Sequence, residues 1–80
     1  MKEYDEDKVD DAVLALLYLT MHEDRTGTRV WKGHDWATMG RLHEKGYIAN
    51  PKVLAKSVAI TEEGKEKAEQ LFLRLFGKTP

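Results

Sequence analysis

The chain of 80 residues contains no cysteine and only two prolines. Without cysteine, neither a disulfide nor a thiolate metal site can supplement the hydrophobic core. A domain of this size buries a smaller share of its surface than a larger one, and small domains often gain stability by forming oligomers. We expect one domain over residues 1–80, and the lack of cysteine is typical of a cytoplasmic protein.

The chain also lacks a long apolar run and a basic leader. Its longest apolar stretch, Ala12 to Leu19, is far shorter than the roughly 20 residues that span a bilayer. The N-terminal segment MKEYDEDKVDDAV is acidic and has neither the positive start nor the apolar run of a signal peptide. We therefore expect a soluble, cytoplasmic protein with no membrane contact.

Residues that commonly carry catalysis or bind metals are few and unsuitably spaced. The histidines at positions 22, 34 and 43 match neither the helical nor the finger spacing of metal ligands, and no HExxH motif is present. Asp35 follows His34 directly, so their side chains point apart on a helix, and we interpret Asp35 as a helix cap. No serine lies near a plausible histidine base, and no glycine-rich phosphate loop occurs. We expect no metal, no cofactor and no enzymatic activity.

The formal net charge of −1 hides an uneven distribution. Residues 1–24 hold eight acidic and two basic residues, residues 25–56 hold seven basic residues against Asp35 and Glu44, and residues 57–80 hold four of each. A basic middle segment can attract nucleic acid or an acidic partner. It can instead face the acidic first helix of its own chain or of a second subunit, which we favour because DNA-binding domains usually have a clear basic excess. The candidate nucleic-acid contacts are Arg29, Lys32, Arg41, Lys45, Lys52 and Lys56.

The first predicted helix begins between Asp5 and Lys8 and ends near His22, and it is apolar on two sides. One side carries Val9, Ala12, Val13, Leu16, Leu19 and Thr20. The other side carries Leu14, Leu17, Tyr18 and Met21. A helix that is apolar all round is buried all round. We expect the second side to meet another subunit, unless the C-terminal helix of the same chain covers it.

The last predicted helix begins after Thr61, which caps it, and Glu62 and Glu63 occupy its first turn. One apolar stripe follows along this helix, formed by Ala68, Leu71, Phe72, Leu75 and Phe76. The two terminal helices together supply the candidate dimer interface, which comprises Leu14, Leu17, Tyr18, Met21, Leu71, Phe72, Leu75 and Phe76.

The segment between these helices is rich in turn signals. HEDRTGTRVWKGHDW breaks the first helix, and within it TRVW is typical of a short edge strand. Asp35 is predicted to cap a second helix, which Gly46 ends in a left-handed conformation. YIAN and SVAIT then flank the loop PKVLAK and predict two antiparallel strands. The expected fold is therefore α+β and mostly helical, in the order helix, short strand, helix, β-hairpin, helix, with Ile48, Val58 and Ile60 anchoring the hairpin to the core.

The motif VWKGHDW places Trp31 and Trp36 on either side of a lysine. Exposed aromatic residues beside bases can stack on single-stranded nucleic acid. We favour packing of at least one tryptophan in the core or in an interface, because a core this small needs its large side chains. A binding surface is the alternative.

The stretch from residue 39 to residue 72 resembles the winged-helix fold. The features that carry the resemblance are Leu42 four residues before Gly46, the pair Tyr47-Ile48, the loop 49–56 and the helix start ITEEG at residues 60–64. The resemblance implies a wing at the hairpin. In the multiple-antibiotic-resistance and phenolic-acid regulator families the first and last helices build a homodimer, and the two apolar helices here are similar to that arrangement.

The whole chain also resembles a small family of short bacterial proteins with no assigned function, through the segments LALLYLT, WKGHDW and RLHEKGYI. This resemblance implies no activity, substrate or site.

A helix-turn-helix reader needs two helices joined by a tight turn. Residues 34–46 leave room for only one, of about 20 Å. We therefore expect a reduced winged-helix domain that acts as a non-enzymatic, dimeric protein-interaction module with an unknown protein partner. The alternative is a nucleic-acid-binding transcriptional regulator that uses the wing and the basic middle segment.

Overall fold

A computed structural model describes residues 3–78 of the chain. Its elements follow in the order α1 (Glu6–Leu19), β1 (His22–Asp24), β2 (Gly27–Trp31), α2 (Trp36–Glu44), β3 (Ser57–Ala59) and α3 (Glu62–Phe76). The helices, of 14, 9 and 15 residues, make up about half of the chain. The expected α+β class is confirmed. Within the described residues, none of these helices is both long and apolar enough to cross a membrane.

Side-chain oxygens cap the start of all three helices. Asp5 accepts a hydrogen bond from the backbone N–H of Asp7 at 2.9 Å. Asp35 accepts one from Thr38 at 3.1 Å, and the Thr61 hydroxyl accepts one from Gly64 at 2.9 Å. Each bond satisfies an N–H that has no partner within its helix. The caps predicted at Asp35 and Thr61 are confirmed.

Gly46 ends α2 with a φ of 84°, the left-handed conformation that glycine adopts without steric cost. The N–H of Gly46 donates to the carbonyl of His43 and the N–H of Tyr47 donates to that of Leu42, both at 3.0 Å. This pair of bonds is the Schellman motif, in which the last free carbonyls of a helix are satisfied. The predicted left-handed cap is therefore confirmed, and it turns the chain towards β3.

The sheet contains three antiparallel strands in the order β1-β2-β3. His22 pairs with Arg29 across β1 and β2, and Val30 pairs with Val58 across β2 and β3. The prediction of TRVW as an edge strand was wrong, because β2 lies in the centre of the sheet. The reason is that α1 ends three residues earlier than predicted, so that the segment 22–24 is free to form β1.

The predicted strand at residues 47–50 is reduced to a single bridge between Ile48 and Ile60. One further ladder bond runs from the N–H of Ala49 to the carbonyl of Ala59 at 2.9 Å. The side-chain oxygen of Asn50 then accepts a hydrogen bond from the N–H of Lys52 at 2.9 Å, which turns the chain away from the sheet. Pro51 between them is buried and has no N–H to donate. The expected hairpin therefore pairs β3 mainly with β2.

One hydrophobic core lies between the helices and the inner face of the sheet. Ile48, Val58 and Ile60 are all buried, as the strand alternation predicted. The other buried apolar residues are Leu14, Ala15, Leu17, Val30, Met39, Leu42, Ala68 and Leu71. The core thus draws on every helix and on both β2 and β3.

Helices α1 and α3 pack against each other and run antiparallel. Arg74, near the end of α3, lies 3.9 Å from Asp11, near the start of α1, and the rings of Tyr18 and Phe72 lie 5.2 Å apart, centroid to centroid. Within one chain α1 is not buried all round. The side that α3 covers holds the buried Leu14 and Leu17, whereas Leu16 and Leu19 on the other side are exposed.

Candidate interaction surfaces

The only acidic side chain in the core, among the described residues, is that of Asp10 on α1. Arg41 of α2 donates from Nε to both carboxylate oxygens of Asp10, at 2.8 and 2.9 Å, and its Nη2 lies 2.7 Å from Oδ1. Lys45, the residue that follows α2, donates to Oδ2 at 2.9 Å. A buried carboxylate is tolerated only when it is paired and hydrogen-bonded in this way.

Two further acidic residues of α1 extend this cluster towards solvent. Glu6 accepts from Nη1 of Arg41 at 3.1 Å, and Asp7 accepts from Nζ of Lys45 at 3.0 Å. On the other side, Nη2 of Arg41 donates to the hydroxyl of Thr38 at 3.1 Å. We call Glu6, Asp7, Asp10, Arg41 and Lys45 the α1–α2 charge cluster. Among the described residues no buried side-chain nitrogen or oxygen lacks a hydrogen-bond partner.

The pKa values of Asp10, Arg41 and Lys45 are shifted in the directions that favour their charged forms. Burial by itself would raise the pKa of Asp10, but the hydrogen bonds and charges of Arg41 and Lys45 outweigh it and hold that pKa below its ordinary value. The hydrogen bond to Asp10 in turn raises the pKa of Lys45 and that of Arg41 above their usual values. Asp10, Arg41 and Lys45 are therefore charged at neutral pH.

The charge cluster decides how the acidic N-terminal and basic middle segments are related. The basic residues of α2 face the acidic residues of α1 in the same chain, which is the arrangement that the charge distribution favoured. Arg41 and Lys45 were also candidate nucleic-acid contacts. Both are committed to carboxylates, so a phosphate would have to compete with the partners that they already have.

Two more candidate contacts, Arg29 and Lys32, are also occupied within the chain. Arg29 donates to the hydroxyl and the carbonyl of Ser57, both at 2.8 Å. Lys32 donates from Nζ to the carbonyl of Pro51 at 2.9 Å and to the carbonyl of Val53. These bonds fasten β2 to β3 and to the loop 50–56.

The remaining two candidates, Lys52 and Lys56, differ from the other four. Both are exposed on the loop 50–56, and in the part of the chain that the structure describes neither side chain has a hydrogen bond or an ion pair. Leu54, at the tip of this loop, is fully exposed. The base of the loop is nevertheless fixed, because Lys32 holds two of its carbonyls and the N–H of Lys32 donates to the carbonyl of Lys56 at 3.2 Å.

Both tryptophans lie on the surface of the chain, so neither packs in the core, and packing of one of them in an interface stays a prediction. Trp31 is 48% exposed and Trp36 is 55% exposed. Trp31 alternates with the buried Val30 along β2 and therefore lies on the face of the sheet away from the core. There its ring stacks on that of His22, with centroids 4.7 Å apart. Trp36 opens α2 and lines a shallow cleft together with Pro51 and Lys52.

The residues of the candidate dimer interface fall into three groups. Leu14, Leu17 and Leu71 are buried within one chain, so they cannot contact a second copy, and including them was an error. The partly buried Tyr18, Met21 and Phe72 pack against the core from its edge. Leu75 and Phe76 are exposed. α3 of the same chain covers the side of α1 that was expected to meet a partner.

The last turn of α3 is apolar and exposed. Leu73, Leu75 and Phe76 are 58%, 47% and 52% exposed, although they stand on different sides of the helix. Phe76 contacts Phe72 with ring centroids 5.4 Å apart, and Phe72 contacts Tyr18. A chain of aromatic rings thus leads from the α1–α3 packing to the surface. We call Leu73, Leu75 and Phe76 the α3 end patch.

The histidines lie in separate places. His22 stacks on Trp31, and Nδ1 of His43 lies 3.0 Å from the carbonyl of Ile48. Over residues 3–78, no group of three or more histidine, cysteine, aspartate or glutamate side chains could hold a metal ion.

Sequence reasoning missed Asp10 as a functional position. A signal was present: Asp10 precedes Leu14 by four residues and Leu17 by seven, the spacing of one helix face. An acidic residue on an apolar face requires a basic partner. The partner itself could not be identified from the sequence, because several basic residues of the middle segment were equally available.

Comparison with known proteins identifies relatives of this chain but no function. Residues 5–78 match the model of a domain of unknown function, DUF6429. An uncharacterised protein of Sinorhizobium fredii (strain NBRC 101917 / NGR234), y4hR, is 57% identical over 74 residues, which cover 92% of this chain and 96% of that protein. No solved structure matches the chain.

Proposed function

The chain belongs to the DUF6429 family, and we propose that it is a non-enzymatic, homodimeric protein-interaction module. Its membership confirms the expected resemblance to a small family of uncharacterised bacterial proteins. The observation that carries the proposal is the α3 end patch. Three large apolar side chains that surround one helical turn, about half exposed each, have no role in the core of a single chain. Exposed apolar side chains that gather at one end of a helix can mark a protein contact.

The surroundings of the patch suit contact with a second copy. In an isologous dimer the same surface of each chain meets its copy. Charged residues around that surface can form ion pairs across the dimer only if both signs are present. Arg74 and Asp11 flank the patch, 3.9 Å apart and both accessible, and each can pair with the opposite residue of a partner. We place this module in the cytoplasm, and we interpret its element order as that of a reduced winged helix. A further protein partner is part of the proposal.

Sedimentation equilibrium at micromolar concentrations tests the dimer. We expect the wild-type chain to sediment as a dimer and Leu75→Asp to sediment as a monomer with an unchanged circular-dichroism spectrum. Leu54→Asp is the matched control, because it places the same charge on an exposed apolar position outside the α3 end patch. This variant should remain dimeric. A wild-type chain that stays monomeric at all these concentrations refutes the proposal.

The alternative, a transcriptional regulator that reads duplex DNA, has less support. Of its six candidate basic contacts, four are engaged within the chain, and α2 has no second helix that would orient it in a groove. Fluorescence anisotropy with duplex selected from a random pool distinguishes the two functions. Submicromolar binding at physiological salt, with a reproducible enriched sequence, would establish the regulator instead.

A further inference from the structure

The outer edge of β1 presents a backbone N–H and carbonyl to solvent. Within the described residues β1 pairs with β2 alone, because the strand order is β1-β2-β3. The carbonyl of Thr28 accepts the N–H of Ile60 at 3.1 Å, so the main-chain groups of Thr28 point towards β3. Glu23 lies directly opposite Thr28, and opposed residues of an antiparallel pair alternate between bonded and unbonded pairs. The N–H and carbonyl of Glu23 therefore point away from β2, at the open edge.

A groove adjoins this edge on the face of the sheet that meets the helices. Thr28 shares that face of β2 with the buried Val30, and the side chain of Glu23, opposite Thr28, lies on it too. The volume of the groove is about 610 Å³, within the range of about 300–1,000 Å³ typical of ligand-binding clefts. Besides Glu23 and Thr28, its lining includes the apolar side chains of Tyr18, Leu19 and Met21.

We propose that β1 binds an extended segment of a partner protein as a fourth, antiparallel strand, with a basic residue of that segment facing Glu23 and its apolar residues in the groove. The basic residue exchanges both main-chain hydrogen bonds with Glu23, and the residues two positions away on either side share its face. In strand addition, main-chain bonds supply affinity and pockets for alternate side chains supply specificity. The inference rests on the proposed function as a protein-interaction module, for whose further partner it supplies a chemistry, and it does not use the α3 end patch.

The charges of β1 favour a basic segment. The strand sequence HED holds two acidic residues and no lysine or arginine. Asp24 lies 3.9 Å from Arg29, and Lys65, which also lines the groove, is paired with Glu62 at 2.7 Å. Glu23 is exposed and has no ion pair within residues 3–78. Since opposite charges on facing strands stabilise the pairing, a lysine or arginine opposite Glu23 suits this edge.

A second copy of this chain is a poor occupant of the same edge. Antiparallel pairing of two β1 strands about a twofold axis at Glu23 sets this carboxylate directly opposite its own copy, and like charges in that position are destabilising. The acidic strand therefore discriminates against itself and in favour of a basic partner, which is specificity through repulsion.

Nuclear magnetic resonance of the isotope-labelled full chain tests the inference, because it observes each backbone amide separately. The probe is a blocked pentapeptide in the order valine, threonine, lysine, threonine, valine, which presents its lysine and both valines on one face. One control peptide has glutamate in place of lysine. Another keeps the lysine but carries a methyl group on its backbone nitrogen, which removes the N–H that donates to Glu23. We expect saturable shifts with the lysine peptide, centred on the amide of Glu23 and the residues of the groove, and slower hydrogen exchange at that amide.

The strength of binding should follow both the charge and the main-chain bond. The glutamate peptide should bind roughly fivefold more weakly than the lysine peptide. The methylated peptide should also bind roughly fivefold more weakly, because the carbonyl of Glu23 then lacks its donor.

Variants of the chain assign the contact. Glu23→Lys should reverse the order of the lysine and glutamate peptides. Glu44→Lys makes the same change of charge on an exposed residue outside the groove, and it should keep the wild-type order. Leu75→Asp should bind the lysine peptide as the wild type does, because Leu75 lies near the end of α3 and Lys65 of the groove near its start.

Four results would overturn the inference. The first is the absence of saturable shifts with the lysine peptide at millimolar concentrations. The second is equal binding of the lysine peptide and either control peptide, and the third is an order that Glu23→Lys leaves unchanged. The fourth is protection of the Glu23 amide that rises with protein concentration in the absence of peptide, which would make a second copy the occupant. Sedimentation of the wild type reports separately on the homodimer, whose failure would leave the peptide result standing.

Discussion

At the scale of single residues, Asp10 connects α1 to α2 through charge rather than through apolar packing. Its carboxylate is 1% exposed and accepts hydrogen bonds from two basic side chains that keep part of their surface in water. Hydrogen bonds to charged groups contribute more than neutral ones, about 1.5–3 kcal/mol each. A buried carboxylate without these partners would be strongly destabilising.

Asp10→Asn should lower the free energy of unfolding by about 1.5–3 kcal/mol. The amide keeps the shape of the side chain but loses the charge that Arg41 and Lys45 pair with. Urea denaturation at neutral pH measures the effect. Asp11→Asn is the control, since Asp11 makes only a long and accessible ion pair, and it should change stability by less than about 0.5 kcal/mol. Equal effects of both substitutions would show that the α1–α2 charge cluster does not stabilise the fold.

Gly64 is required for space and not for backbone conformation. A Cβ atom at this position would lie 2.9 Å from Cγ1 of Ile60 and would collide with the backbone carbonyl oxygen of Tyr47. Gly64→Ala should therefore destabilise the protein by about 1–3 kcal/mol. At Gly40 in α2, an added Cβ would have no atom within 4 Å, so Gly40→Ala should stabilise by about 0.4–1 kcal/mol.

Thermal unfolding of the two glycine variants gives a direct comparison. The melting temperature should fall for Gly64→Ala and rise for Gly40→Ala. A rise for both would mean that α3 can shift away from Tyr47 without loss of packing.

At the scale of elements, β3 joins the two halves of the chain. Ile60, which follows β3, donates its N–H to Thr28 at 3.1 Å and bridges to Ile48. Its side chain is buried in the core. The segment from β3 to Ile60 therefore pairs with β2 on one side and with the chain that follows α2 on the other. An error in its register would disturb both pairings.

Ile60→Ala should destabilise the protein by about 2–5 kcal/mol, the usual loss when a buried isoleucine is truncated. The control is Leu54→Ala on the exposed loop, which should stay within about 0.5 kcal/mol of the wild type. Chemical denaturation followed by circular dichroism gives both values. A loss of less than about 0.5 kcal/mol for Ile60→Ala would mean that its side chain is not part of the core.

At the scale of the whole molecule, the acidic and basic segments that are separate in the sequence lie close together and neutralise each other. The acidic start of the chain and the basic α2 lie side by side, so the net charge of −1 does not reflect two charged lobes. Exposed apolar side chains occur at the α3 end patch, around the loop 50–56 and on α1, at Leu16 and Leu19.

Acid should weaken the fold through Asp10. Because its pKa in the folded chain lies below the value of about 3.9 for an unfolded aspartate, the folded state binds fewer protons, and stability falls as the pH drops. The contribution is fully present well above that unfolded value and is lost as the pH falls through the folded pKa.

Urea denaturation of the wild type and Asp10→Asn, from neutral pH to about pH 3, isolates this contribution. The stability difference between the two chains should shrink at the acidic end. If it stays constant over the whole range, the carboxylate of Asp10 does not carry the acid sensitivity. The raised pKa of Lys45 acts at the opposite end, where its contribution is lost as the pH rises through that pKa.

Much of the fold could be predicted from short segments. The caps at Asp35 and Thr61, the left-handed Gly46 and the burial of Ile48, Val58 and Ile60 follow from neighbours in the sequence. The strand at residues 47–50 and the position of β2 were wrong, because pairing depends on which other segments lie beside a strand. The site was predicted less well. The sequence supplied six candidate basic residues for nucleic-acid contact, but it did not show that four of them bond to other groups of the same chain.

The sequence by itself determined where the three helices begin and end, to within a few residues, since caps, glycine and periodicity act over a single turn. The tertiary structure alone decided which side of α1 is buried, because both sides are apolar and periodicity cannot choose between them. It also decided that Asp10 pairs with Arg41, 31 residues away. Charges so far apart in sequence meet only when α1 and α2 pack, and that packing leaves Lys52 and Lys56 free, together with two exposed tryptophans.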